Sequence, residues 1–318
     1  MCDNHSTQKT NGGRLGSKLE DGKQAHERDH KLWSRRSFLT TTGLVAAGAS
    51  LLFGRTNVSA FSPTPMMAAL NGLETDRILV LVRLKGGNDG LNTVIPLYDY
   101  GYYQSVRPDI HIPTSNIITL DADNGHGIPN SLSALSPFWQ EGKMKVAHNV
   151  SYPDQSGSHF RSSDIWASGS DKNEFWSTGW FGRFFEQEYP AYITAPPTVP
   201  PAVQIGSESN LIFTGENSNM SLVINDPNEF YQIAQTGQLY NTQALPDCYY
   251  GEELGFMRNV ANSSFRYSES IKQAYDSSST DVAYPDTSLA EELAIVARLI
   301  KGNLGTKVYM VSIGGFDT

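Results

Sequence analysis

A chain of 318 residues, 39% hydrophobic and 18% charged, has the make-up of a globular protein with one large core. Its formal net charge of −9 argues against nucleic acid and anionic membrane surfaces as partners. Only two cysteines, Cys2 and Cys248, exclude a disulfide scaffold.

The first sixty residues carry a targeting pattern. SRRSFL (34–39) holds paired arginines, TTTGLVAAGASLLFG (40–54) is a weakly apolar run of small residues, and VSA (58–60) has the ending a signal peptidase accepts. Paired arginines before such a run read as a twin-arginine export signal. The expected destination is the periplasm or the medium, with the twin-arginine machinery as the first partner. The apolar run is shorter than the roughly 20 residues a spanning helix needs, so no membrane span is expected in the mature chain. Residues 1–33 form a long polar leader with no assigned role. Passengers of this route fold before crossing, often around a metal or cofactor. Residues 1–60 hold 9 of the 24 Lys/Arg and 5 of the 33 Asp/Glu, leaving 15 against 28 and a net charge of −13. Cys2 would leave with this segment, and Cys248 would stand alone.

Residues 61–76 are a lead-in. DRILVLVRL (76–84) is a continuous apolar run of strand length, suited to a strand buried on both faces of a parallel sheet. YDYGYYQSVRP (98–108) is expected to pack as an aromatic loop. Residues 131–150 read as a short helix, a turn at Glu141-Gly142 and a strand, KVAHNV. HFRSSDIWASGS (159–170) and TGWFGRFFEQEY (178–189) read as helices, and PTVPPAVQIG (197–206) approaches a strand through prolines. The segment from about 207 to 285 is expected to be an irregular insertion with short helices, one near 227–236. Ser288 and Glu291 suggest a capping box before an apolar-periodic helix closed by Gly302 or Gly305, and KVYMVSI is a strand. The alternation predicts an α/β sandwich with a mostly parallel sheet over residues 61–318.

Two strands end alike. RILVLVRL runs into KGGND and KVYMVSI into GGFD, so Asp89 and Asp317 each follow a Gly-Gly-x ending. Ligands collect at the carboxyl ends of strands in open α/β sheets. Two carboxylates meeting there repel unless a proton or a cation intervenes, and a divalent metal (Zn, Mn or Ca) is the economical answer. The competing local reading of RLKGGNDGLNTVIPL is a hairpin turning at Asp-Gly. The loop SYPDQSGSHF (151–160) places Ser156 and Ser158 before a helix N-terminus, where N–H groups and the dipole favour an anion. A hydroxyl there could attack a phosphoryl or sulfuryl centre, although capping accounts for such serines as well. His159 and Asp164 are nearby candidates for ligand or acid–base roles; His126 and His148 are expected to be structural.

Several stretches in order, LVRLKGGNDGLNTVIP, YYQSVRPDI, SHFRSSDIWASG, TGWFGRFF and VSIGGFDT, resemble the DUF1501 family of exported bacterial proteins. That family is similar to the alkaline phosphatase and sulfatase superfamily, an α/β sandwich with metals at the strand ends. The resemblance implies a metal-dependent hydrolase of phosphate or sulfate esters acting on a small-molecule or glycan ester. It implies Asp89 and Asp317 as metal ligands, Asn92 as a substrate-binding residue and Ser158 as nucleophile, with Ser156 and Ser162 as rivals; His159, from its place beside Ser158, is expected to bind substrate as well. The family motif continues Asp-Thr-His where this chain has Asp317-Thr318, and members extend further. The resemblance therefore implies a truncated copy with a fold incomplete at the C-terminus. The alternative is a non-catalytic exported protein that keeps the fold for surface or glycan binding. A redox role is weaker, for want of a Gly-x-Gly-x-x-Gly fingerprint or a haem-attachment motif.

Overall fold

The computed structural model describes residues 77–121, 125–148, 150–242 and 244–317. The expected export signal and leader at 1–60, the lead-in at 61–76 and Thr318 lie outside the described residues. The ordered elements are β1 (Leu79–Leu84), α1 (Gly90–Thr93), β2 (Ile95–Pro96), α2 (Tyr100–Val106), β3 (Ile117–Asp121), β4 (His126–Pro129) and α3 (Ser136–Gln140). They continue with α4 (His159–Ser168), α5 (Trp180–Glu188), β5 (Ala202–Ile205), β6 (Ser221–Ile224), α6 (Pro227–Gln235), α7 (Tyr249–Asp276), α8 (Ser288–Lys301) and β7 (Val308–Ile313). The chain divides into two units, one formed by the residues up to Arg83 with Phe160–Ile313, the other by Leu84–His159 with Gly314–Thr318.

The first unit is α/β. Its sheet has the strand order β1-β7-β5-β6. β5 pairs in parallel with both neighbours, Val203 lying opposite Leu222 and Tyr309. Side chains alternate across a strand, and β7 shows it. Val308 and Met310 join an apolar cluster with Phe181, Phe185, Ile212 and Phe213, while Tyr309 and Val311 join one with Tyr267, Ile271 and Leu299. Helices therefore cover both faces, and all four residues of β5 are buried. Each such large apolar side chain contributes about 1.5–3 kcal/mol on burial. α5 lies so close to the 211–214 turn that a Cβ on Gly182 would stand 2.2 Å from the Thr214 carbonyl oxygen.

Two local expectations change in this unit. Residues 207–285 are not irregular: they hold β6, α6 and the 28-residue α7. The buried face of α7 is built partly from Gly251, Gly255, Ala261, Ser264, Ser268 and Ala274, so small and polar residues sit where apolar periodicity would be sought. The N-cap of α8 is Thr287, whose hydroxyl accepts from Ala290 N at 3.3 Å, and Ser288 is already helical. No described helix is long and apolar enough to cross a membrane.

The second unit carries a three-stranded antiparallel sheet, β2-β4-β3, that the sequence pattern does not announce. Ile95 pairs with Gly127 and Ile118 with Ile128, and the register slips at a bulge between Thr119 and Asp121. Ile95, Tyr103 and Ile128 are its most buried apolar residues. The expected strand at 145–150 is absent, because residues 143–148 adopt no regular structure. The hairpin alternative also fails: after Asp89 the chain enters the one-turn helix α1.

Candidate functional site

The strands that end in Gly-Gly-x-Asp, β1 and β7, are neighbours in the sheet. The residues after both belong to the second unit. Past β1, Gly86 takes φ +111°, a conformation that L side chains rarely adopt. The turn presents Gly87 N–H to Asp317 Oδ1 at 2.7 Å. Asp317 fills the space over Gly86 so fully that a Cβ there would lie 2.3 Å from Oδ1 and 2.7 Å from Cγ. Past β7, Gly315 is likewise in the positive-φ region, at +91°. Of the four glycines, Gly86 is thus required by both its φ and the close approach of Asp317, and Gly315 by its φ alone.

His159 completes this corner. Its Nε2 stands 3.3 Å from Asp317 Oδ1, and its Nδ1 lies 3.5 Å from where a Cβ of Gly87 would be. Asp317, expected as a metal ligand alongside Asp89, is brought together with His159, expected to bind substrate. Ser158 precedes His159 on an exposed loop. That loop is laced by its own polar groups: Ser156 Oγ accepts from Ser158 N at 3.1 Å, and Tyr152 Oη accepts from Ser156 N at 2.8 Å. Ser156 shapes the turn that presents Ser158. Ser162 and Asp164 fall in α4 within the first unit, where Asp164 favours the charge of Arg83 against burial that lowers its pKa.

Asp89 is engaged elsewhere. One oxygen caps α1, accepting from Asn92 N at 3.3 Å, and the other is ion-paired with Arg107. Arg107 lies over the ring of Tyr103, its guanidinium carbon 5.9 Å from the centroid. Asn92, expected to hold a substrate anion, is a clamp instead. Its Nδ2 donates to Ile110 O at 2.8 Å, and its Oδ1 accepts from Tyr103 Oη at 2.6 Å. Tyr103 Oη in turn accepts from Ile112 N at 2.7 Å. The reason is local: Asn92 sits one turn into α1, facing a buried tyrosine that needs an acceptor. The aromatic stretch expected to be a packed loop forms α2, with Tyr103 buried and Tyr98 and Tyr102 exposed. His126 and His148 stack on one another with centroids 4.6 Å apart, and Tyr98 meets His126 edge-on.

Whether these residues suit a metal can be judged from spacing. Two ligands each about 2.0–2.1 Å from a tetrahedral ion are about 3.3–3.4 Å apart. The His159–Asp317 separation of 3.3 Å matches that edge and is long for a charge-assisted hydrogen bond, about 2.7–2.9 Å. The Gly87 N–H on the carboxylate is the kind of outer contact that orients a ligand. The pair fits one corner of a metal site. Among the described residues no group of three or more His, Cys, Asp or Glu is placed to hold an ion. Asp89 stands closed by Arg107.

In comparisons with known proteins, no family model matches the chain, and neither a curated protein nor a solved structure does. The residues that sequence reasoning missed are Gly86 as a seat for Asp317, Arg107 and Tyr103. An arginine just before proline in an aromatic stretch was the one available signal for the last two.

Proposed function

We propose that the chain is an exported metal-dependent hydrolase of phosphate or sulfate esters, the activity that the DUF1501 resemblance implies. The observation that supports it is the convergence of Asp317 and His159 on the Gly86–Gly87 turn, at a ligand-like spacing of 3.3 Å, where neighbouring strands end. Asp317 and His159 would hold the ion. A mixed nitrogen and oxygen pair favours zinc or manganese over calcium, which takes oxygen ligands. When bound, the ion supplies Lewis-acid polarisation of an ester oxygen and lowers the pKa of a nearby hydroxyl. Ser158 would supply the hydroxyl that attacks phosphorus or sulfur in line as the bond to the ester alcohol breaks. The serine proton would leave with that alcohol, and water would then hydrolyse the esterified serine. The turn anchored by Ser156 and Tyr152 would orient the hydroxyl. Gly87 N–H holds the Asp317 carboxylate in one orientation throughout.

The test is hydrolysis of p-nitrophenyl phosphate and p-nitrophenyl sulfate by the full chain supplied with zinc or manganese. Activity lost in Asp317→Asn, His159→Gln and Ser158→Ala and abolished by chelator supports the proposal. Activity indifferent to all three substitutions, or no hydrolysis of either ester, counts against it.

One observation favours the binding-protein alternative. Tyr98 and Tyr102, four residues apart, are 71% and 65% exposed, and exposed tyrosine rings offer apolar area with a polar tip to a ligand such as a sugar. Retention on polysaccharide columns that falls in the Tyr98→Ala, Tyr102→Ala double variant would favour that reading; retention unchanged would remove it.

A further inference from the structure

In the first unit, β7 outruns its neighbour β5. Leu79 N donates to Lys307 O at 2.8 Å, so the odd-numbered residues of β7 turn their backbone polar groups to β1 and the even-numbered ones to β5. Val308 and Met310 lie there opposite Ala202 and Gln204. Ser312 meets no such residue, because β5 ends at Ile205 and Gly206 turns the chain away at φ +128°. A carboxyl fills the place that the next β5 residue would take. Glu292 reaches it from α8: its Oε1 lies 3.6 Å from where a Cβ of Gly206 would be, and the Ser312 N–H acts on it. Its Oε2 is buried with no hydrogen-bond partner among the described residues. No counter-charge stands by. Its neighbours three and four residues away on α8 are Ser288, Leu289, Ile295 and Val296. Among the described residues, α7, β7 and β5, which pack against α8, bring no charged side chain to act on it.

A carboxyl so placed favours its neutral form. Ionised, Oε2 would be a buried anion with neither a cation nor a donor to meet it. We propose that Glu292 is a proton-operated latch on the carboxyl ends of β5 and β7. Protonated, it lies in the gap and completes the end of the sheet. Ionised, it leaves for water, and the backbone at Ser312 and Gly206 opens with it. The sign follows from the burial that raises this carboxyl. The closed form is fully held below the unfolded value of about 4.3 and is lost as pH rises through the folded value. Between those two values one proton leaves with each opening, so the open fraction grows about tenfold per pH unit. The latch lies within the first unit and does not rest on the metal-dependent reading.

The experiment is amide hydrogen exchange of the full chain from about pH 4 upward, corrected for the intrinsic pH dependence of exchange. It is read at Ser312 and at Gly206, whose N–H donates to Ile224 O at 2.9 Å, in wild type, Glu292→Gln and Glu292→Met. Wild type is expected to lose protection at both amides about tenfold per pH unit and to level off once the folded value is passed. Both variants, which cannot ionise at this position, are expected to keep constant protection there. A second reading needs no variant: in wild type the Glu292 carboxyl-carbon resonance should titrate in step with the loss of Ser312 protection. Protection independent of pH in wild type, or falling equally in the variants, overturns the latch. So does a carboxyl that titrates while Ser312 stays protected.

Discussion

Replacing Gly86 by alanine tests the strand-end geometry most sharply, because the neighbouring glycine provides its own control. At φ +111° an L residue is strained by about 1–3 kcal/mol. The new Cβ would also lie 2.3 Å from Asp317 Oδ1, which forces the carboxylate to swing away and give up the Gly87 N–H bond. That bond is worth about 0.5–1.5 kcal/mol. The sum is about 1.5–4.5 kcal/mol, concentrated in the unit that contains the site. Gly87→Ala meets only ordinary contacts at 3.5 Å and is expected to cost within about 0.5 kcal/mol. Amide hydrogen exchange resolved over residues 84–121 reads the local difference, and zinc titration reads the displaced carboxylate. Gly86→Ala should lose protection and zinc affinity, and Gly87→Ala should keep both. Equal behaviour of the two variants would refute the claim that Asp317 is seated on Gly86.

Burial raises the Glu292 carboxyl above the ordinary range, against the lowering effect of the Ser312 backbone N–H, and its Oε2 is buried without a hydrogen-bond partner among the described residues. A raised folded pKa gives stability that is present below the unfolded value of about 4.3 and is lost as pH rises through the folded value. Glu292→Gln should therefore raise the melting temperature at neutral pH, with the advantage gone near pH 4; a gain that persists in acid would contradict this. Arg183 donates to Thr178 O at 2.8 Å, Thr178 Oγ1 at 2.9 Å and Ser168 O at 2.6 Å, all buried. Arg183→Met, which leaves three acceptors unmet, should cost at least about 3 kcal/mol in urea unfolding. Tyr103→Phe removes the hydroxyl that joins Asn92 to Ile112 and should cost about 1–3 kcal/mol, with faster exchange at the Ile112 amide as its signature.

How much of this could be read beforehand varied with the physics involved. β5 and β7 were legible as mainly apolar runs in strands covered on both faces, whereas β1, expected to be buried on both faces, is an edge strand with Val82 and Leu84 exposed. α4 and α5 were legible from their start and stop residues. The two Gly-Gly-x-Asp endings lie on neighbouring strands, and Gly86 and Gly315 both adopt the positive φ that favours glycine. α7 was hidden because its packed face uses Gly255, Ser264 and Ser268, which carry no hydrophobic period. The β2-β4-β3 sheet was hidden because β2 is two residues long, and its pairing is set by contacts thirty residues away. The strand expected at 145–150 came from an apolar rhythm too short to bind the chain to a neighbour. Arg107 and Asn92 eluded sequence reasoning for a common reason: a counter-ion and a buried tyrosine's acceptor are chosen by the tertiary fold, not by spacing.

Metal content of the purified full chain after exhaustive dialysis against metal-free buffer tests the central claim most directly. One zinc or manganese retained per chain in wild type, and lost in both Asp317→Asn and His159→Gln, is the result expected from the site described here. Retention that is unchanged in both variants, or no ion retained in wild type even after reloading, would contradict it.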